Sequence, residues 1–260
     1  MSRQHQKYLL YALLGLLVLL FAYSSWHVGS YLVESQKSAS RFDTLSEKVE
    51  QVRDDQENMP LPPESEEGNI LPEYRELYEG NPDLVGWIQI AGTDINYPVM
   101  QTPEQKSYYL RRDFDGSYST HGCIFVQEEC DVEAPSDNVT IYGHRMKDGS
   151  MFADLAGYAD PDFWDVYRQI QFDSLTQRRS YEIFAVFKTS ATPGYGLEYH
   201  TFINAEDAEE FDRFISRCKA LSFYETGITP VWGDKIICLS TCDYSLENGR
   251  LVVAAVLRES

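Results

Sequence analysis

The chain has 260 residues, 43% of them hydrophobic and 24% charged, proportions that suit one sizeable globular core with appendages. A net charge of −19 excludes a nucleic-acid partner, because phosphate binding needs clustered lysine and arginine. The five cysteines form neither a paired CxxC set nor a Cys/His zinc pattern, and no calcium-loop spacing is present, so neither metal nor cofactor is expected.

Tyr8 to Val28, "YLLYALLGLLVLLFAYSSWHV", is apolar over the length a helix needs to cross a bilayer. It is too long for a cleaved signal peptide, and Ala22-Tyr23-Ser24 makes a poor cleavage site, so an uncleaved anchor is expected. Arg3 and Lys7 keep residues 1–7 in the cytoplasm and send everything after Val28 outside, with Trp26 and Tyr31 near the interface. An odd number of cysteines in a disulfide-permitting compartment leaves at least one thiol over or reactive.

Residues 29–69 read as stalk and linker. Phe42, Leu45, Val49 and Val52 form a heptad-like seam too short for a coiled coil, and "ENMPLPPESEEGN" neither continues a helix nor builds a core. From residue 70 to 260 the texture is that of one domain. Strands are expected over Val85–Ala91, Ile95–Met100, His121–Val126, Asn138–Gly143, Val166–Phe172, Ser180–Thr189, Lys235–Cys242 and Arg250–Arg258. Helices are expected over Pro72–Tyr78, Met151–Tyr158 and Ala205–Leu221, the last with Phe211, Phe214, Ile215, Cys218 and Leu221 on one face. A mainly β barrel or sandwich follows.

Among the thiols, Cys123, Cys238 and Cys218 lie in apolar runs that favour an inert neutral side chain, and Cys130 sits in an acidic turn that opposes thiolate formation. Cys242 stands where an apolar strand gives way to a polar loop, a position that can expose a reactive group on a rigid element. A buried structural cysteine remains an equal reading there. A thiol nucleophile needs a base, and His144, at the end of the strand "NVTIYG", is placed like Cys242; a surface-loop histidine is its bland alternative. Arg250 opens the last strand and can stabilise an oxyanion without losing its proton. Turn chemistry opposes this trio. Asn248-Gly249 is a two-residue hairpin signal that would set Cys242 opposite Ala255, about 16 Å along the strand from Arg250.

"LSTC" (Leu239–Cys242), "GRLVV" with Arg250, and "YGHRM" with His144 resemble the sortases, the Gram-positive cell-surface cysteine transpeptidases. "LYEGNPDLVGWIQIAGTDINYPVMQ", "YYLRRDFDGSYSTHGCIFV" and "NVTIYGHRMKDGSMFADL" are similar to class B members in particular. The resemblance implies an eight-stranded sortase barrel with added helices in which Asp243 to Gly249 is a loop, which overrides the tight hairpin. It further implies Cys242 as nucleophile, His144 as acid and base, and Arg250 on the developing oxyanion. The implied donor is a surface protein with a C-terminal sorting signal, of Asn-Pro-x-Thr type in class B. The implied acceptor is an amine of a peptidoglycan precursor or a pilin. Ser240, Thr241, Thr189 and Tyr195 match positions lining the family's substrate groove, and Asp243 is a candidate to orient His144. A membrane-anchored cysteine hydrolase and a noncatalytic surface scaffold are the rival readings.

Overall fold

A computed structural model describes residues 3–57 and 69–258; most of the expected linker, residues 58–68, lies outside the described residues. The chain divides into two compact units, Met1–Ser40 and Arg41–Ser260. The first is the leading part of a single long helix, α1 (Arg3–Glu57), whose Leu13, Leu14, Leu17 and Phe21 are exposed. Among the described residues α1 is the one helix long and apolar enough to cross a membrane.

In the second unit the remainder of α1 packs on the domain instead of forming a free stalk. Phe42 and Val49 of the expected seam are buried in the main core, and the Phe42 ring meets Tyr97 edge-on at 5.3 Å. Arg53 pairs with Asp173 at 2.9 Å, where Tyr74 Oη also donates at 2.7 Å. Residues 41–57, read from the sequence as stalk, thus lie in the second compact unit: their apolar seam is legible in the sequence, but the surface it covers is not.

Eight strands close a barrel: β1 (Leu84–Gln89), β2 (Asn96–Met100), β3 (Ile124–Val126), β4 (Asn138–Tyr142), β5 (Gln169–Ser174), β6 (Ser180–Ser190), β7 (Ile236–Asp243) and β8 (Gly249–Arg258). Their spatial order is β1-β2-β3-β4-β7-β8-β6-β5, antiparallel throughout except β2–β3 and β4–β7. Side chains alternate faces along a strand. In β7, Ile237 and Leu239 therefore enter the barrel while Ile236 and Cys238 face outward, and in β8 Val253 points in while Val252 points out. The outward set is covered by α4 (Ala208–Leu221) through Phe211, Phe214, Ile215 and Cys218, which makes β7 and β8 apolar on both faces.

Short α2 (Pro72–Gly80) precedes β1. The expected helix near Met151 is a run of 3₁₀ turns, Ala153–Ala159. Sequence reading passes over α3 (Pro161–Val166), which starts on a proline behind Asp160, whose side chain accepts from Asp162 N at 3.0 Å. That helix displaces the start of β5 from the expected Val166 to Gln169. In α4 the cap is Asp207, accepting from Glu210 N at 2.9 Å, so the helix begins three residues after the expected Ala205.

Candidate active site

The β7–β8 register decides whether a site exists. Cys242 lies directly opposite Arg250, Asp243 opposite Gly249, and Ala255 faces Ile237. The two-residue Asn-Gly hairpin does not form; Tyr244 to Asn248 make an open loop, with Asn248 at φ +50. Gly249 is there for close approach, since a Cβ on it would meet Asp243 O at 2.4 Å. Alternation along β7 puts Ser240 and Cys242 on the same outward face.

β4 runs parallel to β7 with Tyr142 beside Ser240, so the chain leaving β4 delivers His144 to the same end of the sheet as Cys242. Gly143 makes this possible: its N–H donates to Ser240 O at 3.1 Å, and a Cβ would collide with Ile124 and the Phe152 ring. The His144 carbonyl accepts from Phe152 N at 2.9 Å, and its Nε2 donates to Leu110 O at 2.8 Å. That bond selects the Nε2–H tautomer and leaves Nδ1 with its lone pair. Burial pushes the His144 pKa below its ordinary value; the Leu110 bond opposes the shift, and Arg111 and His121 add to it. The ring is therefore neutral at pH 7 and able to take a proton when one is released.

Cys242, His144 and Arg250 line one cleft of about 220 Å³. Cys242 is half-buried, whereas the other four cysteines are buried and all five are free thiols. Burial raises the Cys123 and Cys238 thiols well above their ordinary value, and burial, then Glu129 and Glu128, pushes Cys130 up to about 11. Cys130 is thus no exposed turn residue; its Sγ–H reaches Asn138 O at 3.5 Å. Arg250 Nη1 donates to the carbonyls of Gly249 at 2.9 Å and Asn248 at 3.4 Å, which steadies one side of the guanidinium.

Ser240 and Thr241 also line the cleft. Ser240 Oγ shares a 2.6 Å hydrogen bond with Tyr199 Oη. Thr241 is 2% exposed, alternation turns it toward the barrel interior, and its Oγ1 has no partner among the described residues. The structure does not bring Thr189 or Tyr195 into this cleft. Thr189 is buried, donating to Leu197 O at 3.1 Å and accepting from Leu197 N at 2.9 Å, so its hydroxyl closes the base of a loop. Tyr195, at the tip of that loop, is 69% exposed.

Asp243 does not orient His144. Its carboxylate accepts from Ser245 N at 3.0 Å and from Ser245 Oγ, and pairs with Lys188 at 3.0 Å. Desolvation would raise this carboxyl, but those hydrogen bonds outweigh it and hold the pKa below the ordinary value. Sequence reasoning missed His200, Gln127 and Glu128 in the same cleft. Gln127 is a brace, accepting from Tyr142 Oη and donating to His200 O, both at 2.9 Å. The strand period of β3 could have flagged Gln127; His200 comes from a distant 3₁₀ turn, Tyr199–Thr201, and carries no local signal. Among the described residues no group of three or more His, Cys, Asp or Glu could hold a metal ion.

Known proteins share this architecture. The sortase-domain family model matches residues 88–258. The sortase B of Listeria monocytogenes is 33% identical over 91% of this chain and 92% of its own. A Staphylococcus aureus sortase B–substrate complex superposes with a TM-score of 0.76 at 25% identity, covering 87% of this chain and 99% of that one. Sortase B of Bacillus anthracis, in complex with AAEK1, gives 0.74 at 31% identity over 88% and 100%. Barrel, cleft and relatives agree: the chain belongs to the sortase family, in its class B branch, and is a cysteine transpeptidase of cell-surface protein sorting.

Proposed function

We propose that Cys242 is the nucleophile, His144 the acid–base and Arg250 the cation that meets the developing oxyanion. The observation that carries this is the pairing of Cys242 with Arg250 across β7 and β8, with His144 at the neighbouring end of β4. His144 takes the Cys242 thiol proton as the sulfur attacks the scissile carbonyl of a sorting signal, and the carbonyl oxygen takes up negative charge within reach of the guanidinium. As the C–N bond breaks, protonated His144 gives its proton to the leaving amine, and a thioester remains on Cys242. An incoming amine then attacks the thioester, neutral His144 removes its proton, and the thiolate departs. One amide has been exchanged for another.

The donor in this reading is a surface protein with a C-terminal signal of Asn-Pro-x-Thr type, and the acceptor an amine of a peptidoglycan precursor or a pilin. Ser240 and Thr241 border the acyl portion. Residues 8–28 anchor the chain, residues 1–7 are cytoplasmic, and the catalytic domain is extracytoplasmic, as the basic Arg3 and Lys7 favour.

The test is mass spectrometry of the full chain incubated with a panel of sorting-signal peptides. One peptide should add its acyl mass to Cys242, Cys242→Ala should acquire none, and a small amine should release a ligated product. Release of free acid alone, even with excess amine, would mark a hydrolase; function that survives Cys242→Ala would mark a scaffold.

A further inference from the structure

Behind His144 lies a second imidazole that this mechanism does not use. His121 is 1% exposed, and its Nε2 stands 2.8 Å from Asp148 Oδ2. Asp148 follows His144 by four residues and folds the loop that leaves it: Asp148 Oδ1 accepts from Ser150 N at 3.1 Å and Ser150 Oγ at 2.7 Å. The loop is closed by the Arg145–Met151 bridge and by Phe152 N donating to His144 O. Met151, at φ +61, donates its N–H to Tyr97 Oη at 3.0 Å.

On its other side, His121 belongs to the segment against which the His144 ring is held. Ser119 N donates to Arg111 O at 3.1 Å and Cys123 N to Tyr109 O at 3.0 Å, so residues 119–123 clasp residues 109–111. Gly122, at φ +63, lets the two backbones touch; a Cβ there would lie 2.6 Å from Leu110 O. Leu110 O is the acceptor for His144 Nε2. The circuit is closed. It runs from the His144 ring through the Leu110 carbonyl to the 119–123 segment, across the His121–Asp148 bond, and back along the loop to the His144 backbone.

We propose that His121 and Asp148 are a positioning pair: their bond holds the His144 ring on the Leu110 carbonyl, and a charge on His121 acts on that ring. This rests on the acid–base role given to His144 above. An outer partner that fixes ring orientation and tautomer is a recurrent way of tuning a histidine. The charged groups around His144 are Arg111 on the clasped segment and His121 with Asp148 behind it. Arg250, Lys106, Glu128, His200 and Cys242 line the cleft with it. Of these, Arg111 and, when it carries a proton, His121 oppose a positive charge on His144. Asp148 touches both the loop and the second imidazole.

The experiment compares full-length parent with His121→Gln, Asp148→Asn and His121→Ala in detergent, using protein labelled at the histidine rings. NMR follows the His144 titration, iodoacetamide alkylation follows Cys242 against pH, and turnover uses the sorting-signal peptide that acylates the parent. His121→Gln keeps a hydrogen bond to Asp148 but no charge, so the His144 titration moves to higher pH while kcat stays within about threefold. Asp148→Asn likewise keeps a bond to the neutral ring and stays within about threefold. His121→Ala releases the loop, and kcat falls about tenfold or more with KM within about twofold, as expected when a reacting group is misplaced by a fraction of an ångström.

An unmoved His144 titration in His121→Gln overturns the charge coupling, and with it the proposal. Equal kcat losses in all three variants with melting temperatures lowered together would show mere structural support and overturn it too. If no peptide acylates the parent, the transpeptidase assignment of the site fails, while the NMR and alkylation arms still decide this inference.

Discussion

At the scale of single residues, the oxyanion role proposed for Arg250 depends on the shape of its guanidinium. Two backbone carbonyls of its own loop occupy Nη1, and among the described residues no hydrogen bond takes up the remaining N–H donors of the rigid fork, which can meet a substrate oxygen. Lysine carries the same charge on a flexible stem with its donors clustered on one atom, so it cannot hold the loop carbonyls and reach the oxyanion together. Arg250→Lys should therefore lower kcat/KM for an acylating peptide by about 10²–10³, roughly what one lost oxyanion donor costs. The side chain is half-buried at a strand end, so the melting temperature should move little. Steady-state turnover and a thermal melt on the same preparation check both halves. Turnover within a factor of three of the parent would show that charge alone suffices and that the fork has no role.

At the scale of elements, the site is a consequence of one register. Cys242 meets Arg250 because Tyr244 to Asn248 form an open loop and Gly249 lets β8 close on Asp243. Gly249→Ala places a Cβ 2.4 Å from Asp243 O and 2.9 Å from Leu246 Cβ, so the start of β8 must move away from β7. The expected result is a stability loss of about 1–3 kcal/mol. A fall of tenfold or more in kcat/KM should accompany it, because Arg250 is the next residue; unchanged turnover would separate the site from this contact.

The same elements show what a sequence can disclose. The apolar runs of β7 and β8, the strand into His144, and the amphipathic face of α4 were all legible, since burial on one or both faces writes itself into the pattern. Local turn chemistry misled at Asn248-Gly249: Asn248 does take a left-handed conformation, but as the last residue of a longer loop. Only the resemblance to a family placed the trio together before the fold was known. Thr189 was legible as a polar residue at a strand end, yet nothing local told that its hydroxyl would be engaged by Leu197. His200 and the Leu110 carbonyl reach the cleft from distant turns, and long-range contacts of that kind leave no periodic trace.

At the scale of the whole molecule, the catalytic unit and the helix that precedes its barrel are not separable at the proline-rich segment. The part of α1 from Arg41 to Glu57 contributes Phe42 and Val49 to the core, and its cations meet carboxylates of the domain: Arg41 with Asp113 at 2.5 Å and Asp115 at 3.0 Å, Arg53 with Asp173 at 2.9 Å. Desolvation raises the pKa of both Asp113 and Asp173 and the arginine partners oppose that rise, so losing Arg41 and Arg53 would strip Asp113 of its arginine and leave Asp173 with Arg178. Removal of residues 1–28 takes away the apolar segment but leaves residues 41–57 in place, and the resulting protein should melt at the temperature of the parent. Removal of residues 1–57 exposes the sites of Phe42 and Val49, a loss of about 3–6 kcal/mol from apolar burial alone. For a domain of this size that is a fall of about 10–20 °C in Tm, read by calorimetry or circular dichroism. Because Asp113 lies between residues 109–111 and the 119–123 segment that clasps them, the shorter protein should also lose peptide acylation at temperatures where it is still folded. Equal melting of the two truncated proteins would show that the second half of α1 only rests on the barrel.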